Sequence, residues 1–187
     1  MRRVLFAAAV AALLLTASYM AVSIRFPLKY MEAVRENAEL NGLPPELIFA
    51  VIRAESGFRP DAVSPKGAAG LMQITEATGM WMAGEMGLHG YSRGDAFVPE
   101  INVAVGSRYL AWLLDYYGGE LPHALCAYNA GMGNVNKWLA DERYSSNSPN
   151  GAKLERIPFP ETEKYLERVT MNMRVYKFLL KIRGKNA

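Results

Sequence analysis

The stretch of sequence that decides the fold is residues 44–57, PPELIFAVIRAESG. Proline is tolerated in the first turn of a helix and glycine favours a helix end, so this stretch predicts a helix from Glu46 to Ser56 that stops at Gly57. Apolar residues lie seven, four and three positions before Glu55, on the same helix face. A carboxyl group in line with an apolar stripe loses hydration, which raises its pKa toward the value that a general acid needs near neutral pH. The same spacing also fits a Glu55 that only ends the helix at the solvent boundary.

Outward from this segment, hydrophobic residues recur at helical spacing. The other predicted helices are Met31–Leu40, Ile101–Tyr117, a helix from Pro122 to Gly131, and a last helix that begins at Glu161. The predicted loops are Asp61–Gly70, Gly84–Gly94 and Ser145–Gly151, because turn-forming residues cluster there. No stretch alternates with period two over the length of a strand, so the predicted fold class is mostly α.

Composition limits the classes of function. The chain has 187 residues, of which 51% are hydrophobic and 21% charged, as in globular proteins. Its single cysteine, Cys126, excludes an internal disulfide, and with two histidines it provides three ligands where a structural Cys/His zinc cluster takes four. Without Arg2 and Arg3, the 21 Lys and Arg residues become 19, against 18 Asp and Glu. This balance gives no indication of a nucleic-acid partner.

The N-terminal segment carries the charge excess. Val4–Ile24 contains no charged residue and follows Arg2 and Arg3. A helix of this length spans the hydrocarbon core of a bilayer, roughly 30 Å thick. Residues 1–24 are therefore predicted to form a signal anchor. A cleaved signal peptide is the alternative, but the apolar region of a signal peptide is usually shorter than this one. In either case residues 25–187 lie outside the cytoplasm.

Four short blocks follow one another along the chain, with Asn102 and Tyr109-Leu110 ahead of the third. They are Ala54-Glu55-Ser56-Gly57-Phe58, Gly67-Ala68-Ala69-Gly70-Leu71-Met72-Gln73, Ala127-Tyr128-Asn129-Ala130-Gly131 and Ile157-Pro158-Phe159-Pro160-Glu161-Thr162. In this order they resemble the catalytic domain of the soluble lytic transglycosylases, over most of residues 30–180. The resemblance implies a lysozyme-like helical domain that acts on bacterial peptidoglycan, behind the N-terminal apolar helix.

The resemblance also implies a site built around one carboxyl group. It makes Glu55 the catalytic acid and base, with Ser56 as a structural neighbour and Glu161 as a second acidic position at a helix start. The residues that it implies for the sugar-binding cleft are Ser64, Met72, Gln73, Tyr128, Asn129 and Tyr165, of which Tyr165 approaches the catalytic carboxyl. The residues by themselves also allow both tyrosines to be core aromatics and Gln73 to be an exposed helix residue.

The implied reaction needs one carboxyl, whereas ordinary glycosidases use two. Glu55 protonates the glycosidic oxygen between N-acetylmuramic acid and N-acetylglucosamine, and as a carboxylate it then takes a proton from the C6 hydroxyl. The product is a 1,6-anhydro end, and the implied chemistry uses no metal or organic cofactor. A goose-lysozyme-type hydrolase, in which water replaces the C6 hydroxyl, and an inactive glycan-binding scaffold remain as alternatives. The implied partners are peptidoglycan glycan strands and, through residues 4–24, the membrane.

Overall fold

The computed structural model describes residues 2–148 and 151–184 and is mostly helical, as predicted. In chain order its elements are helices α1 (Arg2–Arg25), α2 (Met31–Asn41), α3 (Pro45–Glu55) and α4 (Glu76–Glu85), a 3₁₀ helix (Arg93–Phe97), helices α5 (Pro99–Tyr116), α6 (Leu121–Ala130) and α7 (Met132–Leu139), strands β1 (Ser145–Ser148) and β2 (Gly151–Leu154), and helix α8 (Pro160–Gly184). The predicted ends of α2, α3, α5 and α6 lie within one or two residues of the observed ends.

Helix α3 lies at the centre of the domain. Every residue from Leu47 to Ile52 is buried, as expected of a helix that is apolar on all sides. Helix α8 packs along it, with the rings of Phe49 and Tyr176 stacked at 5.2 Å between centroids. Farther along, the Asn172 side-chain amide donates a hydrogen bond of 3.3 Å to the Ala50 carbonyl. The α3–α8 pair therefore fixes the last turn of α3, which carries Glu55.

The hairpin of β1 and β2 corrects the predicted loop at Ser145–Gly151. The strands pair antiparallel, with Ser145 opposite Leu154, while positions 149 and 150 of the predicted loop lie outside the described residues. Four-residue strands, one of them rich in serine, are too short to show the period-two pattern. His123 on α6 accepts a hydrogen bond of 3.2 Å from the Leu154 N–H, so a tertiary contact that no local pattern reveals helps to hold the hairpin.

Helix α1 is long and apolar enough to cross a membrane by length and composition, and none of its described side chains is buried. It continues directly into the domain. The Phe26 N–H donates a 2.7 Å hydrogen bond to the Val22 carbonyl, and the Phe26 ring meets that of Tyr176 edge-on at 5.7 Å. The residue that directly follows the apolar N-terminal helix is thus packed against α8.

Candidate active site

Glu55 is the last residue of α3, at a sharp turn. The Ser56 hydroxyl donates to the Ile52 carbonyl (3.2 Å) and accepts a hydrogen bond from the Phe58 N–H (3.1 Å). Gly57 and Phe58 both have left-handed backbone conformations, with φ of 61° and 69°. Ser56 is buried and holds this turn, in agreement with the structural role expected of it. The turn ends α3 with the Glu55 side chain only partly buried, at the edge of the core.

The segment that follows folds into a compact loop beside Glu55. The Ser64 hydroxyl accepts a hydrogen bond of 3.1 Å from the Ala68 N–H. Gln73 has a left-handed backbone (φ 51°), and its side-chain amide donates to the Ala62 carbonyl (3.0 Å) and the Gly70 carbonyl (2.9 Å). Gln73 therefore stabilises the loop with its amide NH₂ and is not an exposed helix residue.

A cavity of about 410 Å³ lies between this loop, the end of α6 and the start of α8. Its lining residues are Glu55, Ser64, Pro65, Lys66, Ala68, Gln73, Thr75, Tyr128, Asn129 and Glu161. Four of the six predicted cleft residues thus surround one space with Glu55, and the acidic Glu161 joins them.

The α6 residues of the cavity are held by contacts to other elements. The Tyr128 hydroxyl donates a 2.8 Å hydrogen bond to the Met72 carbonyl, which ties α6 to the loop. The Asn129 side-chain carbonyl accepts a 2.8 Å hydrogen bond from the Thr162 hydroxyl, which ties α6 to the first turn of α8. These residues line the cavity and also close the structure around it.

Met72 and Tyr165 lie behind the cavity, not in its lining. Met72 is fully buried, and its side chain packs so closely on α5 that a Cβ added to Gly106 would lie 2.6 Å from the Met72 sulfur. The prediction that the Met72 side chain forms part of the cleft wall therefore differs from the structure, because that side chain fills the core beneath the loop. Tyr165 is 1% exposed and faces the Glu55 carboxyl, so it can act on the carboxyl but lies out of reach of a ligand in the cavity.

The surroundings of Glu55 adjust its protonation. Burial raises its pKa from 4.5 to about 7. The Tyr165 hydroxyl and the Arg168 charge oppose this rise, and the negative charge of Glu161 reinforces it. The Tyr165 hydroxyl is itself buried and has no partner in regular hydrogen-bond geometry among the described residues. Near neutral pH the Glu55 carboxyl is therefore divided between its acid and carboxylate forms, as a group that donates and later accepts a proton requires.

Two further carboxyl groups near this part of the sequence, those of Asp61 and Asp95, are absent from the cavity lining. Asp61 is exposed, and Asp95 accepts hydrogen bonds of 2.7 and 2.9 Å from the N–H and hydroxyl of Ser92 at the start of the 3₁₀ helix. Within residues 2–148 and 151–184, no three His, Cys, Asp or Glu side chains lie close enough together to hold a metal ion.

Sequence reasoning missed the residue that connects the loop to α5. Asn102 is fully buried; its side-chain oxygen accepts from the Met72 N–H (2.7 Å), and its nitrogen donates to the carbonyls of Ala69 (3.1 Å) and Ala96 (2.9 Å). The resemblance includes Asn102 but does not indicate this role. A polar residue on an otherwise apolar helix face was the available signal.

Comparison with known proteins identifies the family. The sequence profile described as "Transglycosylase SLT domain" matches residues 32–149, more than half of the chain. The chain belongs to the transglycosylase SLT domain family. This SLT domain is 32% identical to the soluble lytic murein transglycosylase of Escherichia coli K12 over 157 residues, which cover 83% of the chain and 24% of that protein. It is also 32% identical to membrane-bound lytic murein transglycosylase C of Edwardsiella ictaluri, covering 80% of the chain and 46% of that protein.

Solved structures agree with this assignment. An inactive mutant of the lytic transglycosylase Slt from Pseudomonas aeruginosa superimposes with a TM-score of 0.76 at 33% identity, covering 86% of the chain and 26% of that structure. The 70-kDa soluble lytic transglycosylase of E. coli, also solved in complex with bulgecin A, gives a TM-score of 0.74 at 30% identity. The chain thus spans about a quarter of the soluble relatives and under half of the membrane-bound one. The SLT domain is the part that they share, and the predicted lysozyme-like family is confirmed.

Proposed function

We propose that this SLT domain is a peptidoglycan lytic transglycosylase that cleaves the β-1,4 bond between N-acetylmuramic acid and N-acetylglucosamine. The observation that carries the proposal is Glu55, partly buried at the end of α3, with a pKa raised to about 7 and open to the cavity. The names of the relatives, soluble and membrane-bound lytic murein transglycosylases, support the same activity.

The proposed reaction uses one carboxyl group twice. The acid form of Glu55 gives its proton to the glycosidic oxygen as the bond from that oxygen to C1 of the muramic acid breaks, while the substrate's 2-acetamido group stabilises the electron-poor C1. The carboxylate then takes the proton of the C6 hydroxyl, whose oxygen bonds to C1. Because the nucleophile belongs to the same sugar, the step has the advantage of an intramolecular attack. The product is a 1,6-anhydro end, and the proton returns to Glu55.

The supporting residues have separate proposed roles. Ser64, Gln73, Tyr128 and Asn129 line the cavity and are proposed to bind the sugars; the Gln73 amide NH₂ is already bonded to the loop, which leaves its side-chain oxygen for a ligand. Tyr165 is proposed to position the Glu55 carboxyl from behind.

Mass spectrometry of peptidoglycan digested by the full chain tests the proposed reaction. Fragments with 1,6-anhydro ends, one water lighter than hydrolysis products, are expected. Hydrated reducing ends would instead identify a hydrolase of the goose-lysozyme type, and the absence of any cleavage product from folded protein would identify a glycan-binding scaffold.

Tyr165→Phe tests the control of the Glu55 pKa. The lytic rate of the unmodified chain is expected to fall as pH rises through about 7, because the acid form of Glu55 is lost. Since the Tyr165 hydroxyl lowers this pKa, its removal will move the fall to higher pH. The measurement is the pH–rate profile, with Tyr117→Phe as a control whose hydroxyl bonds Asn136 instead. An unchanged profile for Tyr165→Phe would contradict the positioning role.

We further propose that residues 4–24 anchor the protein in the membrane, with residues 25–187 as the catalytic domain outside the cytoplasm. The exposed apolar helix α1 supports this, as does the name of the membrane-bound relatives. Cell fractionation followed by N-terminal sequencing will recover an uncleaved chain in the membrane fraction. A soluble protein that begins near residue 18 to 26 would overturn the anchor while leaving export in place.

A further inference from the structure

The end of α1 is joined to the domain without a flexible linker. Beyond the Phe26–Tyr176 ring contact, the Tyr176 hydroxyl donates a 3.4 Å hydrogen bond to the Pro27 carbonyl, and the Arg53 guanidinium lies 5.7 Å from the centre of the Phe26 ring. Leu28 packs against the hydrophobic core. If α1 lies in a membrane, the part of α8 near Tyr176 is therefore held beside the membrane surface.

The charge of α8 is divided along its length. Its first turn carries Glu161 and Glu163, and Glu161 lines the catalytic cavity. Residues 168–184 contain five Lys and Arg residues and no Asp or Glu. Tyr165, beside Glu55, precedes Tyr176 by eleven positions, which is about 16 Å along a helix. The acidic end of α8 thus lies at the cavity, and the basic end follows the junction with α1.

The basic end also exposes a large apolar side chain. Phe178 is 61% exposed and lies between Lys177 and Lys181, both of which are exposed. The ion pairs in the described part of the chain involve other elements, at Arg143–Asp141 and Lys153–Glu155. Exposed aromatic and basic side chains together are typical of helices that lie at the boundary between headgroups and acyl chains.

We propose that Lys177, Phe178, Lys181 and Arg183, with Arg25 at the end of α1, form a membrane-docking surface for anionic phospholipid headgroups. The proposal rests on the anchoring of α1 proposed above. Each Lys or Arg near an anionic membrane surface strengthens binding by about fivefold, and insertion of the Phe178 ring adds an apolar contribution. With α1 and the docking surface as two points of attachment, α1 and the domain cannot tilt together away from the membrane surface. The cavity is then held in one orientation near the membrane.

As the partner, anionic phospholipid headgroups are favoured over an anionic polymer because of where the docking surface lies. Charge interactions extend only about 10 Å at an ionic strength of 0.1 M. On α8 the docking surface follows the Tyr176 contact with Phe26 by one to seven residues, which is at most about 11 Å along the helix. The lipid headgroups around the end of α1 are thus the anions within reach.

A fluorescent thiol label at Gly184→Cys tests the proposal in the full chain. A Cβ at this position meets nothing within 4 Å, and Cys126 is fully buried with a pKa raised to about 12, so it will not take the label. The protein is reconstituted into vesicles of phosphatidylcholine, with or without phosphatidylglycerol, that contain a headgroup-region quencher lipid. Strong quenching is expected only with phosphatidylglycerol. A label at Gly133→Cys, an equally open site on α7, which contributes no residue to the docking surface, is the control and is expected to stay unquenched.

Charge variants test whether the basic side chains cause the docking. Combined Lys177→Gln, Lys181→Gln and Arg183→Gln will lower the ratio of docked to undocked domain by about 10²-fold, whereas Lys137→Gln, Lys153→Gln and Arg156→Gln, exposed cations elsewhere, will leave it unchanged. Raising the ionic strength to 1 M shortens the screening length to about 3 Å and will also release the domain.

Equal quenching with and without phosphatidylglycerol, or quenching that survives the triple substitution, would overturn the docking surface. Carbonate washing of the same vesicles reports whether α1 is embedded, and loss of the protein to the wash would overturn the anchor and the docking surface together. Because no glycan is present, neither result depends on the lytic activity.

Discussion

Replacing Glu55 with Gln will lower the lytic rate by about 10⁴-fold or more while leaving the fold and glycan binding intact. General acid–base catalysis by one group contributes roughly 10²–10⁴-fold, and here the same carboxyl serves as acid and then as base. The amide keeps the shape of the side chain but can neither deliver nor remove a proton. The measurements are the release of anhydro fragments, the circular dichroism spectrum and the affinity for a glycan fragment.

Glu163→Gln is the control for loss of a carboxyl charge near the site, since this exposed glutamate lies two residues from Glu161 in the first turn of α8 but does not line the catalytic cavity. It is expected to keep full activity. Substantial activity in a folded Glu55→Gln variant would remove the proposed mechanism and require another carboxyl group.

The same substitution will change how the free energy of unfolding depends on pH. Glu55 has a pKa of about 7 in the folded chain, against 4.5 as the ordinary value. Below pH 4.5 the carboxyl is protonated in both states, so its burial as an ion costs nothing. As pH rises from 4.5 to 7, the Glu55 carboxyl ionises in the unfolded chain but stays protonated in the folded chain. The free energy of unfolding therefore falls by about 3 kcal/mol relative to low pH. Glu55→Gln will remove this loss, so its stability advantage over the unmodified chain grows across that range. Denaturation by urea at several pH values measures it, and parallel pH curves would contradict a buried, raised-pKa carboxyl.

The fold could be predicted where local patterns decide it. Segment 44–57 combines prolines, a continuous apolar run and a final glycine, and it forms α3 within a residue of the predicted ends. Helix α4 was missed because its interior glycines weaken the helical signal. In the structure Gly79 makes room for the Tyr91 ring, which a Cβ would approach to 2.5 Å, so a tertiary contact explains the glycine.

The candidate site likewise contains features that the sequence could predict and features that depend on tertiary packing. The raised pKa of Glu55 could be anticipated from spacing, since the apolar stripe on its own helix predicts desolvation of the carboxyl, but the same spacing also fitted a plain helix end, and the catalytic role came from the resemblance. Ser64, Gln73 and Tyr128 came only from the resemblance, because their meeting depends on how the loop, α6 and α8 pack. Met72 shows the limit of that inference. A residue inside a motif can belong to it for packing reasons, and only the structure shows that its side chain points into the core.

Asn102→Leu will lower the free energy of unfolding by about 2–6 kcal/mol, because it leaves two buried backbone groups without a partner and each costs about 1–3 kcal/mol. Leu has the same branching at Cγ and is somewhat larger, so the substitution leaves no cavity. The groups left unpaired are the Met72 N–H and the Ala96 carbonyl, whereas the Ala69 carbonyl keeps its hydrogen bond from the Ile74 N–H (3.0 Å). Such a loss is a large part of the total stability of a domain, about 5–15 kcal/mol.

The same change will disturb the catalytic loop in molecules that remain folded. Gly70 packs so closely on Asn102 and the Ala96 carbonyl that an added Cβ would overlap both, so no other group can replace the lost bonds. The loop that carries Gln73 will loosen, and the lytic rate per folded molecule will fall. Asn37→Leu is the matched control. Asn37 is also buried, but among the described residues its amide donates only to the Ala33 carbonyl within the same helix, so the expected loss is about 1 kcal/mol. Equal losses from the two variants, measured by urea denaturation, would show that Asn102 does not hold the loop to α5.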